Sequence, residues 1–236
     1  MADTIIYFLG HFVFIFVSMV LFFVPFVTVF YIRNRHQIRE KKPHFNQFME
    51  RFFASRESNY LVLVWAAAEA LVWFIIPEFL LFLMIFMKVK HKINLLKFDI
   101  IGTVIGTIIG FIWHASNETL LKIPYVFQGM IDQTHAWYEQ FNIWGLVFQP
   151  FSGVPYKVFI SLAPEYGFAF GLFLVFAVIV RISRYFIAYE LTKALFPIFH
   201  RFVRKNYAWL FVVGIAVFTG FLLKVSFTYG PTFVLQ

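Results

Sequence analysis

Two charged residues stand out because their surroundings are otherwise apolar. Glu69 is the single charge in the run YLVLVWAAAEALVWFIIP, and Lys157 ends the stretch FQPFSGVPYK, which also contains two prolines and a glycine. A buried charge is costly unless it is paired and hydrogen-bonded. Glu69 is therefore a candidate for proton or ligand chemistry, or for a structural ion pair with Lys157 or Arg184.

Several other kinds of chemistry lack the residues they require. The chain has no cysteine, which excludes disulfides and thiolate catalysis. His114, His135 and the other histidines show no metal-ligand spacing, and no phosphate-binding loop or nucleophile motif is present. The sequence thus predicts a protein that is not an enzyme and has no metal, no cofactor and no nucleic-acid partner.

The composition is that of a membrane protein. Of 236 residues, 61% are hydrophobic and 14% are charged, whereas about a quarter of the residues in soluble domains are charged. The first apolar stretch, Thr4 to Ile32, is too long for the core of a signal peptide. About 20 residues span a bilayer, so it predicts an N-terminal transmembrane helix within 1–32.

The positive charges are concentrated in three segments. These hold 17 of the 20 lysines and arginines, and basic segments prefer the cytoplasm. The N-terminus is therefore predicted to lie outside, and the tail of the chain, 207–236, to hold a C-terminal transmembrane helix. The predicted cytoplasmic segments are 33–59, 88–98 and 181–206.

The apolar segment 60–87 has basic flanks on both sides, so both its ends are predicted to lie on one face of the membrane. Pro77 interrupts helical hydrogen bonding, which favours a re-entrant hairpin with its tip at Ile76–Pro77. The next helix, 98–114, would then cross outward. Its three glycines recur every four residues, a spacing that lets helices approach closely.

A second hairpin is predicted where the 40 apolar residues from Phe141 onward exceed one span. It would occupy 141–164, after an outside loop at 115–140 with an interfacial part. A full helix at 166–190 and a basic cytoplasmic loop at 192–206 would follow. The predicted tip contains Pro150, Gly153 and Pro155, and its non-helical backbone would be available to a ligand, an ion or water.

The two hairpins suggest one unit used twice. Pro77 and Pro155 are 78 positions apart, an offset that superimposes a hairpin and a helix in each half, entered from opposite faces. Inverted repeats with broken helices are typical of transporters. The predicted fold is an all-α polytopic membrane protein with two inverted hairpin-plus-helix repeats, flanked by N- and C-terminal transmembrane helices.

Four short motifs in order resemble the DedA family, also called the VTT or SNARE-associated Golgi family. They are AEALVWFIIPE, with Glu69, Pro77 and Glu78; GTVIGTIIG; SGVPYKVF, which is similar to the YqaA-like branch; and RISRYF, with Arg181 and Arg184. The resemblance covers 60–191, the predicted DedA-like domain.

The resemblance implies lipid handling, namely flipping or scrambling of phospholipids or polyprenyl phosphates. Gln149 and Lys157 stand near the positions of two arginines that many members carry, and Ala163-Pro164 replaces a common Ala-Gly. Asp99 is the candidate match for an acidic residue of proton-coupled members, so Glu69 and Asp99 are the candidates for proton coupling.

Three functions follow as hypotheses. The first is lipid translocation between the hairpins, with anionic lipid headgroups as partners. The others are a non-catalytic subunit of a larger membrane complex and an ion-coupled transporter of a small solute; a homo-oligomer fits any of them. The residues expected to line the transport path are Glu69, Pro77, Glu78, Gln149, Pro150, Gly153, Pro155, Lys157, Arg181 and Arg184.

Overall fold

The computed structural model describes residues 2–41, 43–76, 84 and 92–230, and within these it contains helices and no strand. Two 3₁₀ helices, Asn142–Phe148 and Ala163–Tyr166, flank a pair of short α-helices. The α-helices are α1 (Ala2–Lys41), α2 (Phe45–Phe53), α3 (Arg56–Leu71), α4 (Lys92–Trp113), α5 (Asn117–Leu121), α6 (Gln128–Phe141), α7 (Gln149–Ser152), α8 (Tyr156–Leu162), α9 (Phe170–Lys205) and α10 (Tyr207–Tyr229).

Four of these helices are long and apolar enough to cross a membrane. The candidate spans lie in α1, α4, α9 and α10, and they fit the predicted all-α, multi-pass membrane protein. The spans are Ile6–Lys41, Leu95–Trp113, Phe170–Phe199 and Tyr207–Tyr229.

Two helices are longer than their apolar parts predict. α1 continues past Ile32 to Lys41, and α9 continues through the predicted loop 192–206 to Lys205. The basic residues concerned are good helix formers, and nothing in either stretch ends the helix. Pro43 follows α1 closely, whereas Pro197 lies inside α9 without ending it. The prediction of a loop at 192–206 is therefore wrong.

The predicted first hairpin is only partly described. α3 begins at Arg56, before the predicted start at residue 60, and ends at Leu71, before the predicted tip. Residues 72–76 are not helical, and the Trp65 indole Nε1 holds them by donating to the Ile75 carbonyl at 2.8 Å. Pro77 and Glu78 lie outside the described residues.

The other predicted boundaries also differ in detail. α4 begins at Lys92, inside the predicted cytoplasmic segment 88–98, and the predicted outside loop 115–140 contains α5 and most of α6. The segment 141–164 consists of the 3₁₀ helix Asn142–Phe148, α7, a turn and α8. The prediction that the tip is non-helical is wrong for Pro150, which lies in the first turn of α7, where proline is tolerated, and it holds for residues 153–155.

The glycines of α4 allow it to pack closely against α3. A Cβ atom added at Gly106 would lie 2.6 Å from the Cβ of Ala70 and 2.8 Å from the Ala67 carbonyl oxygen. One added at Gly110 would lie 2.9 Å from Ile160 in α8. The predicted close approach at the glycine face is confirmed, and it brings α3, α4 and α8 together around the charged residues.

Gly106→Ala is expected to destabilise the protein, because overpacking a tight contact costs about 1–3 kcal/mol. The midpoint of thermal unfolding in detergent should fall by several degrees. Gly220→Ala in α10 is the matched control, since nothing lies within 4 Å of a Cβ atom there. That control should unfold at the same temperature or higher, because alanine favours the helix. An unchanged midpoint for Gly106→Ala would contradict the close packing.

Candidate functional site

A buried ion pair joins α3 to α9. Arg181 Nη2 donates to Glu69 Oε2 at 2.5 Å, and both side chains are almost completely buried. If Glu69 formed a structural ion pair, the sequence suggested Lys157 or Arg184 as its partner; the ion pair observed is instead with Arg181. Arg181 lies one helical turn before Arg184 in α9, and at this position its guanidinium contacts the Glu69 carboxylate.

Two tyrosines complete the surroundings of Arg181. Its guanidinium carbon lies 4.7 Å from the ring centre of Tyr156, a cation–π distance, and Nη2 also donates to the Tyr185 hydroxyl at 2.8 Å. The hydroxyls of Tyr156 and Thr107 are hydrogen-bonded at 2.9 Å. Sequence reasoning missed the two tyrosines, although Tyr156 precedes Lys157 directly and Tyr185 follows Arg181 by one turn.

Lys157 connects the two segments that were predicted as hairpins. Its ammonium group donates to the backbone carbonyl of Trp73 at 2.9 Å, in the non-helical residues after α3. The side chain is 2% exposed and is near enough to Glu69 to interact with it electrostatically. An ammonium has three donors, so Lys157 can hold Trp73 and still bind an acceptor.

The turn between α7 and α8 presents polar groups beside Lys157. Gly153 adopts φ +76°, a left-handed conformation that glycine tolerates and other residues rarely adopt. The Ser152 hydroxyl accepts from the Val154 amide at 3.1 Å, and the Tyr229 hydroxyl donates to the Ser152 carbonyl at 3.0 Å. The bond from Tyr229 fixes the turn against α10, and Gln149, at the start of α7, is buried nearby.

These residues surround one cavity of about 240 Å³, called here the central cavity. Its lining includes seven of the residues predicted for the transport path. Arg181 is not one of them, but it pairs with Glu69, which lines the cavity. The predicted lining residues are Glu69, Gln149, Pro150, Gly153, Pro155, Lys157 and Arg184.

The central cavity is cationic among the described residues. Glu69 is its one acidic lining residue, against Lys157 and Arg184, and Arg181 lies directly behind it. Gln149 is 3% exposed, and its Oε1 atom accepts no hydrogen bond from the described chain. A buried amide oxygen without a donor costs about 1–3 kcal/mol. A ligand or water carrying a donor would satisfy it.

The rim of the central cavity is apolar. Phe151 in α7 and Phe221 in α10 both line it, and they are 81% and 49% exposed. The cavity therefore reaches the surface beside α10, one of the candidate spans. The interior of the central cavity is charged, whereas its opening at the surface is apolar.

Tyr125 separates the central cavity from a second one near the N-terminus of α1. It lines both, and its hydroxyl is hydrogen-bonded to His11 Nδ1 at 2.8 Å. Its backbone has φ +61°, which is uncommon for a residue other than glycine. Burial raises the pKa of Tyr125 to about 12, so its hydroxyl stays protonated at neutral pH.

Asp99, the second residue predicted for proton coupling, lies apart from the central cavity. It is completely buried in α4, one turn before Thr103, whose hydroxyl is 3.4 Å from that of Tyr185. Tyr185 in turn accepts from Arg181. Asp99 is thus near the far side of the ion pair and not in the cavity lining. In the described parts of the chain, no three histidine or acidic side chains group as metal ligands would.

The chain is similar to a protein from a bacterium. An uncharacterised protein of Haemophilus influenzae is 28% identical over 163 residues, which are 66% of this chain and 84% of that protein. No protein-family model matches the chain, and no solved structure does. The DedA resemblance therefore remains a prediction.

Replacing one member of the ion pair should destabilise the protein. Glu69→Gln leaves the Arg181 guanidinium buried without its carboxylate, and breaking such a pair costs about 3–5 kcal/mol. The midpoint of thermal unfolding should fall by about 10 °C, at a few degrees per kcal/mol. Glu118→Gln is the control, because Glu118 pairs with Lys122 on the surface, where such pairs contribute little.

A double-mutant cycle separates this pairing from two independent losses. Glu69→Gln combined with Arg181→Met removes both charges and should unfold at a higher temperature than Glu69→Gln alone. A double variant whose destabilisation equals the sum of the two single ones would show that the charges are not coupled.

Proposed function

We propose that this protein moves the anionic headgroup of a lipid across the membrane through the central cavity. The substrate class is a phospholipid or a polyprenyl phosphate. One observation carries the proposal. The central cavity has a cationic interior, in which the Gln149 amide oxygen accepts no hydrogen bond from the described chain, and it opens at an apolar surface beside a candidate span.

Each part of this arrangement suits one part of a lipid. Lys157 offers a cationic donor of the kind that binds phosphate, Arg184 adds positive charge to the lining, and Gln149 offers an amide oxygen to a hydroxyl or ammonium group. The volume of about 240 Å³ is below the usual range of small-molecule pockets, about 300–1,000 Å³. It suits a headgroup, while the acyl chains stay in the bilayer past Phe151 and Phe221.

The same contacts support the DedA resemblance and the inverted repeat as parts of this proposal. The first repeat would contribute Glu69 and the residues after α3, and the second would contribute α7, the turn at Gly153 and α8. Lys157 already bridges the two. Polar sites where broken helices meet are where such transporters bind their substrates. The N-terminus would lie outside, with the basic ends of α1 and α9 in the cytoplasm.

A second candidate is transport of a small anionic solute. The size of the cavity favours it as much as it favours a headgroup, and the cations are the same. The apolar opening favours the lipid, because a free solute would enter from water and would gain nothing from an apolar surface.

Lys157→Met should slow lipid movement, because it removes the charge while keeping the length of the side chain. A hydrogen bond to a charged group contributes about 1.5–3 kcal/mol, so the rate should fall by about tenfold or more. The assay is bleaching of fluorescent lipids in proteoliposomes by a membrane-impermeant quencher. With the wild type, more than half of the fluorescence should be lost. Lys224→Met is the matched control, because Lys224 is an exposed lysine of α10, and it should give the same loss as the wild type.

The same liposomes distinguish the two candidates. Lipids with anionic, zwitterionic and polyprenyl-phosphate headgroups are compared with uptake of inorganic phosphate into the lumen. Bleaching that stops near half for every lipid would contradict lipid transport, and phosphate uptake that Lys157→Met abolishes would then establish the solute. Wild-type rates in Lys157→Met would remove the central cavity from either path.

Tyr125→Ala should connect the two cavities that Tyr125 now separates. The absence of native cysteine allows one probe, Val154→Cys, in the lining of the central cavity. Its labelling by a charged thiol reagent should become at least several-fold faster when Tyr125 is alanine. Tyr31→Ala, at an exposed tyrosine of α1, is the control background. Equal labelling in both backgrounds would show that Tyr125 does not close this route.

A further inference from the structure

Another cavity, larger than the central one and distinct from the one that Tyr125 lines near the N-terminus of α1, lies between α1, α2 and the start of α10. Its volume is about 470 Å³, within the usual range of ligand pockets. It shares no lining residue with the central cavity and is called here the apolar groove. The lining residues are Phe16, Val20, Phe23, Val24, Val27, Thr28, Phe45, Phe48, Met49, Phe53, Tyr207, Ala208, Phe211 and Val212.

The walls of the apolar groove suit a hydrocarbon chain. Two walls are candidate membrane spans, α1 and α10, so a bilayer would place acyl chains beside the groove. The third wall is α2, a short amphipathic helix with Phe52 and Phe53 buried and Arg51 exposed. Helices of this kind lie at the surface of a membrane with their apolar face inward.

Three basic residues lie close in the sequence to the first residues of the α2 and α10 walls. Phe45, which begins the α2 wall, follows His44 directly, and Lys41 at the end of α1 is close in the chain. Tyr207 and Ala208, which begin the α10 wall, come just after Lys205. Lys41, His44 and Lys205 are all exposed. Basic side chains beside a membrane attract anionic headgroups.

We propose that the apolar groove holds one acyl chain of an anionic phospholipid, with its headgroup at Lys41, His44 and Lys205. This lipid is a bound component of the protein and does not move through the central cavity. The lipid joins α2 to the two spans. This site is independent of the proposed function, because none of the residues of the apolar groove belongs to the proposed transport path.

The test compares lipids with identical chains and different headgroups. Purified protein in detergent is mixed with dioleoyl phosphatidylglycerol or dioleoyl phosphatidylcholine, and binding is measured by native mass spectrometry and thermal unfolding. Phosphatidylglycerol should give a one-lipid complex and raise the unfolding midpoint by about 5 °C near saturation. Phosphatidylcholine should bind at least several-fold more weakly.

Two variants locate the site. Val24→Trp fills the groove and should abolish the complex, whereas Val17→Trp should not. Val17 is the matched control because it lies on the same helix and is 46% exposed against 47% for Val24, outside the groove. Lys205→Glu should weaken phosphatidylglycerol binding and leave phosphatidylcholine binding unchanged. Ala208→Phe, at the exposed rim, fills the groove from α10 and replaces Val24→Trp if that variant does not fold.

Three results would overturn the proposal. Equal binding of the two lipids would contradict the choice of an anionic headgroup. Undiminished phosphatidylglycerol binding in Val24→Trp and Ala208→Phe would place the lipid elsewhere. A lipid-free dimer that dissociates in those variants would show that a second copy of the chain occupies the groove.

Discussion

The Glu69–Arg181 ion pair is the constraint on which the rest of the central site depends. Charges in an apolar interior are expensive, and their attraction offsets that cost only when the two groups are held in good geometry. The pair therefore fixes the distance between α3 and α9. Tyr156 extends the constraint to α8 by its contact with the guanidinium, and Thr107 extends it to α4 by its hydrogen bond to Tyr156.

The packing of α4 follows from the same requirement. A helix with ordinary side chains at 106 and 110 would hold α3 and α8 too far apart to share Arg181 and its tyrosines. Glycine removes that obstacle, since the space of the missing Cβ atoms is already occupied by Ala70 and Ile160. Close backbone approach and buried polar contacts thus support each other, as is common where helices associate in membranes.

The sequence predicted the residues of the site better than their partners. Glu69 and Lys157 were identified because a charge in an apolar run needs a reason, and both lie in the central cavity. Which arginine would meet Glu69 was not predictable, because Arg181 and Arg184 share a helical face and differ by one turn of depth. That depth depends on how α9 packs against its neighbouring helices, which is a tertiary property. Tyr156 and Tyr185 were missed for the same reason, since a tyrosine in an apolar helix is indistinguishable from core until its hydroxyl has a partner.

The ion pair also determines the charge that the central cavity presents. Arg181 pairs with Glu69 from behind and offsets its charge, so Lys157 and Arg184 leave the described lining of the cavity with a net positive charge. Lys157 is itself positioned by a neutral carbonyl, that of Trp73, and such a bond orients an ammonium group without cancelling its charge. Had Lys157 paired with Glu69, the cavity would have lost a cation and Arg181 would have kept a buried charge. The observed pairing keeps the positive potential on the cavity side, where an anionic headgroup arriving past Phe151 and Phe221 would meet it.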